Sequence, residues 1–513
     1  MDYHKLLRMN RFIISAALTF GLSVAASLQP ASAVTVEATP GSLRQAVTAA
    51  TDPATETSLT VTGAINAADF DFLRGMTALR SLDLSGVSIT AYSGPKTETG
   101  LTSAKANTLP DCALMSGRFT TLTLPAVLAE ISEGALGGSD VETLVIPATV
   151  NKISTGAFSG MKRLKSATIP ASVTSLGEMA FSDCPLLETV VVNANISTLP
   201  AATFRNCPKL ANVTLPATIA AIGDRAFAGC AALASVTLPK TLATIGDMAF
   251  TASGLKSVDL TGGNLTTIGD WAFAGCPSLT GITVGDRLAS VGEGAFYNDP
   301  SLTVKLGDLA ANLTEIPDFL LYGASSATTE GFENTPVETV GKHALSGMND
   351  SKVTLPSTLS HLDDNAMERW ANLKEIDAAD IAAIPSLGES VWEDTPQAST
   401  VLYVPNALFQ GFKDAPQWQE FDVKTETASS IDITLEETPA RIRAYFDGML
   451  LMLEAGCDIQ AAQLYDVSGR CFTIARNSRS NRLTVDTAPF DARVFIVRLL
   501  LSDGTTPVLK LAR

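Results

Sequence analysis

One phrase recurs along this chain at a nearly fixed interval, and it restricts the fold more than any other feature. From Leu210 to Cys276 the chain contains LANVTLPATIAAIGDRAFAGC, then LASVTLPKTLATIGDMAF, then LKSVDLTGGNLTTIGDWAFAGC. The acidic residues of the shared I-G-D triplet, Asp224, Asp247 and Asp270, stand 23 residues apart. A leucine framework repeating every 20–30 residues or so predicts a solenoid. One such coil is too short to bury its own apolar residues. Coils stacked roughly 4.8 Å apart would instead share one continuous sheet and one continuous core.

Each part of the phrase has a physical role. Val213 and Leu215 are two residues apart and point to one face of a short strand. Pro216 cannot donate to a ladder and ends that strand. Ala226, Phe227 and Cys230 fall on one side of a single helical turn, with Asp224 as its N-cap and Gly223 permitting the sharp bend before it. The expected fold is therefore a right-handed α/β coil of short strands and short helical turns. Thirteen such phrases can be counted, the first at Leu109–Leu114 and the last at Leu387–Trp392, which predicts a rod of roughly 60 Å. After Leu302 the phenylalanine gives way to Leu, Met or Trp, and a loop is inserted from Ser325 to Pro336.

The flanks read differently. Lys5, Arg8 and Arg11, the apolar run Phe12–Ala26 and the small residues Ala31-Ser32-Ala33 predict an export signal over residues 1–33. No later stretch reaches the ~18 apolar residues of a membrane span. Residues 34–106 are expected to form an N-terminal cap and loop, with two strand phrases around a helical one in Leu59–Ile89. The repeats then fill 107–400. A closing cap at 401–424 has a strand and an amphipathic helix with Phe409, Phe412 and Trp418. A linker at 425–430 leads into a small all-β sandwich at 431–513, with strands at Gln463–Val467 and Val494–Leu501. The formal charge is −17, and since the leader is basic, the acidity belongs to the repeats. That excludes nucleic acid and anionic membrane as natural partners.

The L-x-x-V-x-L-P and I-G-x-x-A-F-x-x-C pattern closely resembles the BspA-like leucine-rich repeats of surface proteins from anaerobic bacteria. The resemblance covers about Leu109 to Trp392. It implies a leucine-rich-repeat solenoid that is secreted or displayed at the cell surface and binds macromolecules, often as an adhesin for host or bacterial surface proteins. The tail resembles the C-terminal sorting domain of type IX secretion cargo. That likeness rests on Leu464-Tyr465-Asp466-Val467-Ser468-Gly469-Arg470, Val494-Phe495-Ile496-Val497-Arg498 and the basic end at Lys510 and Arg513. Arg493 and Phe495 depart from the usual Gly and Tyr. The tail match implies an address across the outer membrane.

Several columns of residues are candidates for chemistry. The acidic column Asp111, Glu133, Glu178, Asp224, Asp247, Asp270, Glu293, Asp318, Asp364 and Glu389 reads as N-capping, with a calcium ladder as the alternative. Cys184, Cys207, Cys230 and Cys276 read as small buried fillers, while Cys457 and Cys471 have the option of pairing in the tail. The mature chain has His343 and His361 but no metal or nucleophile motif, so no enzyme, cofactor or metal site is expected. The expected partner is an extracellular protein or glycoprotein bound by a monomer. Its candidate face is the outward strand column, notably Thr168, Thr214, Thr237, Asp259, Thr283 and Tyr403. The inserted loop near Phe332 and the Trp392/Tyr403/Trp418 end are further candidates. The alternatives are an envelope spacer and a carbohydrate-binding protein, the latter needing exposed aromatic platforms.

Overall fold

The structure is a computed structural model. It describes residues 33–425 and, beyond them, 442–447, 450–466, 470–476, 480–487, 490 and 494–512. The expected leader up to residue 32, residues 426–430 of the expected linker, the Ser468-Gly469 turn and Arg493 lie outside the described residues, while Thr425 ends the strand Asp422–Thr425.

The chain opens as a parallel β-α-β-α-β unit: β1 (Val34–Ala38), α1 (Leu43–Ala50), β2 (Ser58–Ile65), α2 (Ala67–Gly75) and β3 (Ser81–Ile89). The segment from Val34 to Ser58, weakly patterned in sequence, is thus a full coil of the cap. Asp69 fixes both helix starts. Its buried carboxylate accepts from the amides of Gly41, Leu43 and Asn66 at 2.8–3.0 Å. Two helices at the end of a stack cover apolar edges that shorter coils would leave open.

Stacked coils follow, and each carries two strand segments. The first comes from the L-x-x-V-x-L phrase. The second is a two-residue strand at the isoleucine of I-G-D, such as Ala221–Ile222, Thr244–Ile245 and Thr267–Ile268, paired in parallel from coil to coil. The expected helical phrase is instead a pair of linked turns, with a left-handed residue just after the acid and another after the phenylalanine. Met248 and Ala252 (φ 55 and 55), or Trp271 and Gly275 (φ 55 and 66), occupy these positions. The turns form a third ladder. Phe227, Phe250 and Phe273 donate their amides to Ala249, Ala272 and Ala295 of the next coil at 2.7–2.9 Å.

The core is one continuous cluster from Val36 to Val423. Its spine is a file of phenylalanines, Phe158, Phe181, Phe204, Phe227, Phe250, Phe273 and Phe296, all fully buried, with neighbouring centroids 4.8–5.9 Å apart. The outer sheet, expected to be continuous, is interrupted. Ser166–Ile169, Thr189–Val192 and Asn212–Thr214 form one segment, and Ser257–Leu260 pairs only with Gly281–Val284. The break at Val236–Leu238 sits beside a shortened joint at Gly254, where a Cβ would lie 2.1 Å from the Ala231 carbonyl oxygen.

The C-terminal region is all β. Ile442–Asp447, Leu450–Ala455 and Arg482–Asp486 form one antiparallel sheet. Cys471–Arg476, Ile459–Tyr465, Val494–Leu501 and Val508–Ala512 form a second. The two sheets share a core that includes Leu451, Leu453, Leu464, Phe495 and Val497.

Candidate interaction surface

The acidic column does not cap its own turn. Asp224, Asp247 and Asp270 each turn an Oδ1 to the amide of the corresponding residue in the next coil, at 2.9–3.0 Å. Asp111, Asp318 and Asp364 do the same at 2.7–3.3 Å. The carboxylate is therefore a rung between coils, and it explains the glycine beside it. Gly246 has no need of a left-handed conformation; rather, a Cβ there would sit 2.4 Å from Asp224 Oδ1. Asp247→Ala should cost about 1 kcal/mol in urea unfolding, the usual worth of such a bond. Asp247→Asn, which keeps an acceptor and removes a like charge, should be neutral or better.

The cysteine column is also a ladder. Cys184, Cys207, Cys230 and Cys276 are fully buried, and each Sγ donates to the carbonyl of Phe158, Phe181, Phe204 or Phe250 one coil back, at 3.1–3.3 Å. Burial pushes the Cys276 thiol up to about 11. All the cysteines are free thiols, Cys457 and Cys471 included. In a thiol-labelling time course the exposed Cys471 should react at once, and the four column thiols only as the repeats unfold.

The proposed strand-face residues fall into separate groups. Thr168 and Thr214 flank Val191 in register on one sheet segment, and Asp259 pairs with Thr283 on another. Tyr403 belongs to a third, beside Asp377 and Lys424. Thr237 lies in the interruption, in no strand. The other two expected sites prove to be core. Phe332 is fully buried, and so are Trp392 and Trp418, which pack against one another at 5.4 Å.

Among the described residues, the largest aromatic group outside the core lies on the turn edge. Trp271, Phe319 and His343 occupy the left-handed position after the acid, and Tyr297 and Tyr322 the position after the phenylalanine column. All five are half-buried. Trp271 meets Tyr297 edge-on at 5.2 Å and Phe319 at 6.1 Å. Tyr297 stacks on Tyr322 at 4.9 Å, and Phe319 on His343 at 5.0 Å. Arg369 donates to the Tyr322 hydroxyl at 3.0 Å. Beneath them the buried Glu368 accepts from Ser346 and Asn365, with His343 Nδ1 3.1 Å away. Burial pushes the Glu368 carboxyl up, but hydrogen bonds from Ser346 and His343 and the charge of Arg369 outweigh it and hold it below its ordinary value. Reading the sequence for exposed aromatics misses this group, because its members are scattered from 271 to 343. Aligning the coils by their I-G-D triplets would have revealed it.

Together the stacked coils, interior phenylalanine file and parallel ladders define a leucine-rich-repeat solenoid. Residues 101–211, 197–328 and 308–407 match the BspA type leucine rich repeat region, in six copies. This covers more than half the chain, which belongs to that family. No curated protein matches. Among solved structures, a leucine-rich repeat protein from Bacteroides ovatus is similar at 20% identity and a TM-score of 0.55, over 76% of this chain and 92% of its own. A leucine rich cell surface protein from Faecalibacterium prausnitzii matches at 19% identity and a TM-score of 0.26, over 50% of this chain and 83% of its own. The pneumococcal vaccine antigen PcpA matches at 14% and 0.26, over 77% and 84%.

Proposed function

We propose that this protein is exported, displayed at the cell surface, and works there as a non-catalytic scaffold that binds macromolecular partners. Membership of the BspA-type repeat family carries the reading, since proteins of this family are typically found at the cell surface. The form of the molecule supports it. Three ladders and a continuous core make a rigid body, and rigid repeats commonly present extended surfaces to partners. No helix among the described residues is long and apolar enough to cross a membrane; on this reading the leader directs export and the sorting-like tail directs transfer across the outer membrane.

Labelled full-length protein should bind intact bacterial or epithelial cells saturably, with displacement by unlabelled protein and loss after protease treatment of the cells. Binding that fails to saturate or ignores protease would overturn the reading. For the tail, mass spectrometry of the secreted protein's termini should show a start after Ala33 and removal of the β-module. A cytoplasmic protein starting at Met1 would contradict export.

A further inference from the structure

We propose that the turn-edge cluster around Trp271, Tyr297, Phe319 and Tyr322 is a docking site for an extended, basic segment of a partner polypeptide. The inference rests on the protein-binding reading above and names the surface and the partner chemistry.

The left-handed position after the acid holds many residue types along the array, from Gly134, Gly156 and Gly294 to Met179, Arg225 and Met248. Rings gather there only at Trp271, Phe319 and His343. Gly294 is the one member of the column within the cluster that lacks a side chain, and the indole leans into the gap. A Cβ on Gly294 would lie 2.6 Å from Trp271 Cε3. Trp271 consequently reaches across a coil to Phe319, which makes the ring surface continuous.

The charge around the rings is negative. Asp270 and Asp318 immediately precede Trp271 and Phe319 in sequence, so the acidic rungs run alongside the ring column; Glu293 stands in the same file. The nearby cations are already engaged. Lys342 pairs with Asp364 at 3.1 Å, and Arg369 lies against Tyr322 and Glu368. Aromatic faces attract guanidinium and ammonium groups, and adjacent carboxylates add to that pull. Tyr297 and Tyr322, and Phe319 and His343, stack face to face at 4.9 and 5.0 Å, whereas Trp271 meets Tyr297 edge-on. A basic strand would therefore set one cation against the half-buried indole of Trp271 and the others beside the flanking carboxylates.

The chain supplies its own reporter. Of the four tryptophans, Trp370, Trp392 and Trp418 are buried, leaving Trp271 as the partly exposed one. The test titrates the full-length protein with a hexapeptide alternating arginine and threonine, its glutamate counterpart, and maltohexaose, following tryptophan fluorescence. The arginine peptide should shift the emission saturably, and about tenfold weaker when NaCl rises from roughly 20 to 200 mM. Trp271→Ala, read by calorimetry, should weaken binding about tenfold. Gly294→Ala should weaken it severalfold by displacing the indole, without touching a ring. It should fold normally, since Ala202 holds the same position at φ 53. Met248→Ala, one coil outside the cluster, should have no effect. A response to maltohexaose alone, equal binding of both peptides, or unchanged binding in Trp271→Ala would overturn the proposal. Cell binding that survives Trp271→Ala would overturn this site while leaving the surface-binding function standing.

Discussion

Phe250→Ala should lower the stability of the repeat body by about 3–5 kcal/mol, the cost of emptying a fully buried phenyl site. The ring lies between Phe227 and Phe273, with centroids 5.2 and 5.3 Å away and planes within 8° of parallel. Its loss removes two stacking contacts as well as buried area. Because the core of each coil packs on the coils to either side, the damage falls on the interfaces that hold the two halves of the array together. Urea unfolding should show a lower midpoint and a broadened or split transition. Phe319→Ala, at the half-buried turn edge, should cost far less. A Phe250→Ala loss below about 1 kcal/mol would mean that the phenylalanine file is not the spine of the fold.

The second large effect is on pH. Asp299 stands in the column that Cys184, Cys207, Cys230 and Cys276 fill in other coils, and it is fully buried. Oδ1 accepts from the Cys276 amide at 2.6 Å, while Oδ2 has no partner. Burial pushes this carboxyl from an ordinary value near 3.8 up to about 8, against the lowering effect of the Cys276 amide. The folded chain therefore holds a proton that the unfolded chain releases. Stability from this group is complete below pH ~4, falls by up to about 1.4 kcal/mol per pH unit as pH rises, and is fully lost above pH ~8. Asp299→Cys, which continues the thiol column, should remove that slope and raise the melting temperature most at pH 8. An unchanged pH dependence in the variant would show that Asp299 ionises freely in the folded state.

How much of this was legible in the sequence varies by feature. The I-G-D-x-A-F phrase shows the period and the inward phenylalanine because a residue that must stack on its own copy has to recur in register. The bonds between coils are hidden in the same letters. Asp224 reads equally well as a cap of its own turn, and only the stacked backbone shows its Oδ1 on the amide of Asp247. The glycine of the phrase reads as permitting a sharp bend, whereas at Gly246 its role is to leave room for that carboxylate. Trp392 and Trp418 read as a surface platform because they lie where the repeat decays; they are buried because the last coil must be sealed with something large. Trp271 carried no such flag, since its partners are a whole coil or more away in sequence.

The stack as a whole depends on the turn edge being a true ladder. Native-state hydrogen exchange with mass spectrometric readout, over the segments around 224–229, 247–252 and 270–275, tests this most directly. The amides of Phe227, Asp247, Phe250 and Phe273 are expected to exchange only with unfolding of the array, as slowly as the strand amides of Ile222 and Ile245. Exchange of those turn amides within seconds, at rates typical of exposed loops, would contradict it.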